Sequence, residues 1–291
     1  MTLNILRIIK KINWKNKSKA FLVHFGISLV VFIVLLYLIL FEWYPFPFFS
    51  TDGGTQGMQL VFFVDLVLGP SLTFIVYKAG KKSLKFDLSS IAILQTLALG
   101  FGVWAIYHER PVAIVFADDR FHPVPYYQVI EAGIALSELK KYDTKSPAMI
   151  FVELPDESKQ IERAQVILEA YQQSIPLYLI GDRYREVDDR NFKKILEKSI
   201  DVETYLTEDY IRENKDKWQT LFQTFKTNHA YPNDELAYLA FFARHGRYIL
   251  VLHRQSKKFI DVLNIPPPQA TQKEITIKKP KAVYTPPILA E

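Results

Sequence analysis

The sequence contains no cysteine, which excludes a disulfide framework, a thiolate metal site and a cysteine nucleophile. Acidic residues are scarce in the first third of its 291 residues: positions 1–107 hold ten Lys or Arg and only four Asp or Glu, whereas the remainder carries 26 basic and 27 acidic residues. A nucleic-acid-binding protein usually distributes its basic residues over a folded surface or an extended arm. Here they flank apolar runs instead, so we expect a protein that associates with the lipid bilayer and binds no nucleic acid.

Three long apolar runs predict three transmembrane helices, at about residues 21–41, 60–77 and 91–107. The first is uncharged over 21 residues, roughly 30 Å of helix, which is enough to cross a bilayer. It exceeds the apolar core of a secretory signal and is not followed by small residues, so it is predicted to be an uncleaved anchor. The other two runs are short for spans, and buried core helices are the alternative. The lysines between them and the aromatic residues at their ends favour the membrane.

The positive charges also predict the orientation, because Lys and Arg next to membrane spans concentrate on the cytoplasmic side. The basic N-terminal segment, residues 1–20, and the lysine-rich loop 78–85 are therefore predicted to be cytoplasmic. The membrane region extends over residues 21–107, and the domain after it, residues 108–264, is predicted to be exported. Residues 265–291 contain six prolines and predict an extended, mobile tail.

The exported part is predicted to be an α+β domain, with a three-layer α/β arrangement as the alternative. Its β-rich segments predict strands at 112–117, 148–154 and 177–180 and a hairpin at 248–252 and 259–263. Helical spacing predicts helices at 125–139, after Pro155, and at 189–199, 207–225 and 233–243, with Thr207 and Asn233 as N-caps. In the helix after Pro155, a stripe that recurs every three to four residues is formed by Ile161, Ala164, Leu168 and Tyr171.

The sequence carries few signatures of catalysis. It has no glycine-rich phosphate loop, no H-E-x-x-H and no G-x-S-x-G. The nearest constellation is Asp118, Asp119 and His122 after the first predicted strand, which could act as acid and base in a membrane-tethered hydrolase. A turn with solvated charges is the interpretation we favour, so we predict neither catalysis, nor a cofactor, nor a metal site.

Asp65 is the one carboxylate inside an apolar run, one to two turns from the outer end of the second predicted span. Ionisable groups at such positions usually face protein or water and have a partner. One hypothesis pairs Asp65 internally with Gln95 or His24, or keeps it protonated. The other pairs it with a cationic group on a second protein.

Several short motifs together resemble the TfpX/TfpZ family of type IV pilin accessory proteins. The resemblance is dense between residues 42 and 125 and is carried by Trp43-Tyr44-Pro45, Asp52-Gly53-Gly54, Gln56-Gly57, the segment from Val64 to Pro70 with Leu72-Thr73, Gln95, Ala98-Leu99, Arg110-Pro111, Val115-Phe116 and Asp119-Arg120-Phe121. It implies a protein of the bacterial inner membrane with a periplasmic domain, which works with the major pilin and is not an enzyme.

The same resemblance implies how the protein acts. A type IV pilin has a long apolar helix and a globular head. We therefore expect an accessory or chaperone-like protein that binds both parts, stabilises pilin and assists pilus assembly. Other pilus-assembly membrane proteins are expected as further partners. Asp65 is predicted to meet a polar or cationic group of the pilin helix. An envelope sensor is the alternative. The candidate interaction residues are Trp43, Tyr44, Asp52, Gln56, Asp65, Gly69, Pro70, Gln95 and Phe121.

Overall fold

The structure, a computed structural model, describes residues 14–156, 158–207, 214–229 and 231–268. Most of the basic N-terminal segment, residues 1–13, and all of the proline-rich segment beyond residue 268 lie outside the described residues.

Within the described residues, three apolar helices come first, at Trp14–Trp43, Gly54–Val76 and Leu84–Glu109. Each is long and apolar enough to cross a membrane, and each contains most or all of one predicted run, extended by polar residues at its ends. The first helix ends in a π-helical turn, Leu38–Trp43. The second contains a π-helical segment, Phe62–Leu68, at its centre.

The second apolar helix packs against both of the others, whereas the first and third make little contact with each other. Lys17 on the first helix donates a hydrogen bond to the carbonyl of Ile75 (3.0 Å), one of the last carbonyls of the second helix, which have no partner within a helix. A groove stays open between the outer two helices, and Asp65 and Thr73 of the second helix are part of its lining.

A mixed seven-stranded sheet follows, in the order β4-β3-β1-β2-β5-β6-β7. The β1–β3 and β2–β5 pairs are parallel and the other pairs are antiparallel. The strands are β1 Pro111–Ala117, β2 Arg120–Pro125, β3 Ala148–Val152, β4 Tyr184–Glu186, β5 Leu236–Ala243, β6 Gly246–His253 and β7 Phe259–Leu263.

Helices cover both faces of this sheet, as in the predicted three-layer alternative. Side chains alternate between the faces of a strand, and in β1 Ile114 and Phe116 face one core while Val115 faces the other. The first core is completed by the helix Asp189–Leu196 and by the domain-side ends of the apolar helices. The opposite face is covered by further helices, Tyr126–Glu131, Leu136–Leu139, Val202–Tyr205 and Lys215–Asn228.

Two predictions of secondary structure are wrong. The segment 233–243 is not a helix: after a short 3₁₀ turn, Asn233–Glu235, it becomes β5, an interior strand of the sheet. A strand buried on both faces is apolar throughout, and such a run cannot be told from a buried helix by its periodicity. The segment 177–180 forms a 3₁₀ turn, Leu177–Leu179, and the edge strand is β4 instead.

Two predicted helices are shorter than expected. The segment 125–139 forms two helices, because the chain turns at Gly133, whose positive φ of 73° ends the first of them. The helix predicted to begin after Thr207 is described only from Lys215, with Asn214 at its N-cap position. Residues 208–213 lie outside the described residues.

The helix Gln160–Gln172 is present, but the stripe that predicted it is not its buried face. Ile161, Leu168 and Tyr171 are exposed, with Tyr171 at 81% exposure, whereas Val166 and Ala170 are buried. The apolar stripe recognised in the sequence therefore lies on the surface of the domain.

Candidate functional site

A buried polar cluster joins the three apolar helices. Asp65 lies in the π-helical segment of the second helix and is 4% exposed. Its Oδ1 accepts hydrogen bonds from Gln95 Nε2 on the third helix (2.6 Å) and from Ser28 Oγ on the first (3.0 Å). The predicted internal partner Gln95 is therefore observed. The other predicted partner, His24, lies 2.6 Å from Thr73 instead (Nδ1 to Oγ1).

Gly69 and Pro70 shape the helix around this cluster. A Cβ on Gly69 would occupy the position of the Gln95 amide, so glycine is required for Gln95 to reach Asp65. Pro70 has no N–H to donate, and it follows the π-helical segment, where the regular hydrogen-bond pattern is already interrupted. The sequence segment from Asp65 to Pro70 is thus a single structural unit with Gln95.

The position of Asp65 along the helix differs from the prediction. The second helix begins at Gly54, earlier than expected, so Asp65 lies at its midpoint, not near one end. Its partners Ser28 and Gln95 are likewise close to the middle of their own helices.

The cluster lies beside the groove between the first and third helices, a cavity of about 740 Å³. Its walls are first-helix residues between Asn16 and Val31 and third-helix residues between Leu88 and Leu99. Two acceptors of the cluster, Asp65 Oδ2 and Gln95 Oε1, are buried and have no hydrogen-bond partner among the described residues. A buried acceptor without a donor lowers the stability of the folded state. Beside its apolar walls, the groove therefore has two acceptors that a hydrogen-bond donor would stabilise.

A second buried cluster connects the apolar helices to the sheet. Tyr44, 2% exposed, donates a hydrogen bond from its hydroxyl to the carbonyl of Ile106 on the third helix (2.9 Å). Phe48, in the short helix Phe48–Thr51, packs edge-on against Phe241 of β5, with ring centroids 6.4 Å apart. The loop between the first two helices therefore lies between the third helix and the sheet.

Asp52 fixes the same junction to the turn between β5 and β6. Its Oδ1 accepts a hydrogen bond from the backbone N–H of Arg244 (3.0 Å), and the Arg244 side chain forms an ion pair with Glu109 at the end of the third helix. The neighbouring backbone N–H of His245 donates to the carbonyl of Thr51 (3.1 Å). Burial raises the pKa of Asp52 to about 6 and that of Tyr44 to about 12.

The nine predicted interaction residues thus fall into separate groups. Asp65, Gly69, Pro70 and Gln95 form the polar cluster, and Tyr44 and Asp52 form the junction. Trp43 is half-buried against Tyr107, with ring centroids 5.4 Å apart. Phe121 is fully buried beside Phe116. Gln56 is exposed.

Sequence reasoning missed Ser28, Glu109 and Arg244. Ser28 carried a usable signal, because it lies four residues after His24 and hence on the same helix face. No comparable signal linked Arg244 to Asp52, since they are 192 residues apart in the chain.

The residues of the hydrolase alternative are not brought together. Asp118 and Asp119 form the tight β1–β2 turn and pair with basic side chains, Asp118 with Arg120 (2.9 Å) and Asp119 with Lys198 (3.3 Å). His122 instead stacks on Tyr178 (4.6 Å between centroids), and burial lowers its pKa to about 4. In the part of the chain that the structure describes, no group of three or more His, Asp or Glu could hold a metal ion.

Comparison with known proteins identifies relatives. Residues 12–53 match the family described as "Fimbrial assembly protein FimB". The chain is 37% identical over 124 residues to "Fimbrial assembly protein, serogroup I" of Dichelobacter nodosus, a match that covers 41% of this chain and 48% of that protein. It is 40% identical over 124 residues to the serogroup E1 protein of the same organism, again 41% of this chain and 48% of that protein. The chain therefore spans about half the length of these two relatives.

A third relative is covered more completely. "Fimbrial assembly protein, serogroups C1 and C2" of Dichelobacter nodosus is 40% identical over 99 residues, which are 33% of this chain and 76% of that protein. No solved structure matches the chain. The TfpX/TfpZ name stays a prediction, whereas these matches show that the chain belongs to the fimbrial assembly protein family.

Proposed function

We propose that this protein is a membrane-anchored, chaperone-like factor of type IV pilus assembly, which holds pilin before it is polymerised and catalyses no reaction of its own. Its three apolar helices cross the bacterial inner membrane, with the N-terminus cytoplasmic and the sheet domain periplasmic. The fimbrial assembly family supports the pathway. Length and composition of the three helices support the location.

The groove between the first and third helices is the site at which the apolar helix of pilin binds. The observation that carries this proposal is the pair of buried acceptors beside the groove, Asp65 Oδ2 and Gln95 Oε1, which no described residue satisfies. Lipid tails cannot donate a hydrogen bond, whereas a partner helix can present a hydroxyl, an amide or an ammonium group. Interhelical hydrogen bonds of this kind are worth about 0.5–2 kcal/mol in a membrane.

The depth of the site agrees with such a partner. The groove occupies the half of the helices that lies farther from the sheet domain, which is the cytoplasmic half in the proposed orientation. A pilin helix that begins near the cytoplasmic side can therefore reach the central Asp65 within its first turns. The junction at Asp52 holds the sheet domain against the domain-side ends of the same helices, so helix and head of one pilin meet a single rigid partner.

The substitution Asp65→Asn tests the site with little disturbance of the fold. Asparagine keeps the Oδ1 acceptor used by Ser28 and Gln95 but replaces the unpaired acceptor by a donor. We expect the variant to remain in the membrane at the normal level while the amount of pilin that co-purifies with it falls at least tenfold.

Ser28→Ala is the matched control, because it removes one internal hydrogen bond of Asp65 and leaves its unpaired oxygen unchanged. We expect this variant to retain pilin. Unchanged pilin binding and unchanged piliation in the Asp65→Asn strain would contradict the proposed site.

A further inference from the structure

A second cavity lies on the sheet domain, close to its junction with the apolar helices. It measures about 550 Å³ and opens between the loop 140–147 and the start of β7. Phe46, from the loop that follows the first helix, is part of its lining and is half exposed (51%).

The lining of this cavity is strongly basic. Five lysines contribute to it, Lys140, Lys141, Lys145, Lys257 and Lys258, against two acidic residues, Asp143 and Glu186. Asp143 is already engaged, because its carboxylate accepts hydrogen bonds from the backbone N–H groups of Lys145 (3.0 Å) and Met149 (3.1 Å).

The lysines differ in their availability. Lys257 donates to the carbonyl of Val187 and to Asp189, both at 3.0 Å. Lys140, Lys141, Lys145 and Lys258 are exposed, and within the described ranges none of their ammonium groups forms an ion pair. With five lysines against Asp143 and Glu186, the lining of the cavity carries a net positive charge.

The position of Phe46 places this charge at the level of the helix ends. Phe46 follows Tyr44 by two residues, and the Tyr44 hydroxyl bonds to Ile106, three residues before the domain-side end of the third helix. An exposed phenylalanine next to the helix ends and a basic cavity behind it are the two components that an anionic membrane surface requires.

We infer that this lysine pocket, lined by Lys140, Lys141, Lys145, Lys257 and Lys258, binds the phosphate headgroup of an anionic lipid in the periplasmic leaflet. Lys140, Lys141, Lys145 and Lys258 supply the charge, and Phe46 lies among the upper acyl chains. The inference rests on the membrane crossing in the proposed function. Its consequence is that the sheet domain is held close to the membrane surface, where the head of a membrane-anchored partner would lie.

Lipid retention by the full-length chain tests this inference. The chain is reconstituted in nanodiscs of phosphatidylcholine and phosphatidylglycerol, released into detergent, and the retained lipids are counted by native mass spectrometry. We expect a preference for phosphatidylglycerol that falls about tenfold in Lys140→Gln/Lys145→Gln, because each lysine near an anionic surface contributes a few-fold to binding. The control Lys159→Gln/Lys217→Gln removes the same charge elsewhere in the domain and should retain the preference.

Equal retention of phosphatidylglycerol by the pocket variant and the wild type would overturn the inference. So would equal retention of phosphatidylcholine and phosphatidylglycerol by the wild type, since the pocket would then not select an anionic headgroup. The pocket variant and the control variant should both bind pilin as the wild type does. A failed lipid preference with normal pilin binding contradicts only this inference, whereas a chain that does not enter membranes contradicts the proposed function as well.

Discussion

The three-helix region and the sheet domain differ in the polar residues that they bury. Of the seven buried polar or charged residues found among the described positions, six precede residue 100, including Asp65 and Gln95. The same region exposes many large apolar side chains, whereas the sheet domain has an apolar core between its layers. An exterior of this kind is stable in lipid, and there packing and interhelical hydrogen bonds replace the hydrophobic effect between helices.

The two regions are therefore expected to respond differently to substitution. In the sheet domain, loss of apolar contacts should reduce the free energy of unfolding. In the three-helix region, replacing a polar group should change partner binding more than folding. The following predictions separate these responses, from the largest expected effect on stability to the smallest.

Phe121→Ala should lower the free energy of unfolding of the sheet domain by about 3–5 kcal/mol, because it removes a fully buried ring that packs on Phe116 (5.0 Å between centroids). Denaturant unfolding of the full-length chain in detergent, followed by pulse proteolysis, measures this loss. A loss below about 1 kcal/mol would mean that the core on this face of the sheet is not packed as described.

Asp52→Asn should change how stability depends on pH. Because burial raises the pKa of Asp52 from 3.8 to about 6, the folded state holds its proton more tightly than the unfolded state. The contribution of Asp52 to the free energy of unfolding is therefore most favourable below about pH 4. It decreases as the pH rises through about 6, by up to about 3 kcal/mol in total. Asparagine cannot ionise and still accepts from Arg244, so the stability of the variant relative to the wild type should increase by about 2 kcal/mol between pH 4 and 6.

The comparison must be made as a difference, because His122 acts in the opposite direction. Its pKa falls from 6.5 to about 4 on burial, so its contribution is lost as the pH decreases over the same range. Thermal unfolding of the wild type and Asp52→Asn at several pH values separates the two. A constant difference between the two proteins would show that Asp52 is solvated.

Tyr171→Ser should change the free energy of unfolding by no more than about 0.5 kcal/mol, because this side chain is exposed. Val166→Ala on the same helix is the counterpart: Val166 is buried, so about 1 kcal/mol should be lost. If Tyr171→Ser were the more damaging of the two, the stripe of Ile161, Leu168 and Tyr171 would be the buried face of this helix.

The sequence was sufficient where a pattern was local. Apolar runs predicted the three apolar helices, and β-rich segments predicted β1, β3 and the β6–β7 hairpin. The segment 233–243 failed because a central strand and a buried helix share an apolar run. The stripe of Ile161, Leu168 and Tyr171 failed because periodicity identifies an apolar face without showing what covers it.

The candidate site was predicted in part. Asp65 and Gln95 were each conspicuous as polar residues in apolar helices, and the structure joins them. The groove itself could not be predicted, because residues of all three helices line it and no single segment forms it. The junction at Asp52 depends on a contact across 192 residues, which no local pattern encodes.

The central claim is that the groove holds the apolar helix of pilin, and photocrosslinking in intact membranes tests it most directly. A photoreactive residue is placed at Ala92, which lines the groove, or at Leu94, which is exposed outside the groove lining. The two positions differ by only about 3 Å along the third helix but point in nearly opposite directions. We expect pilin to be captured from position 92 and not from position 94. Equal capture from both positions, or capture from 94 alone, would contradict it.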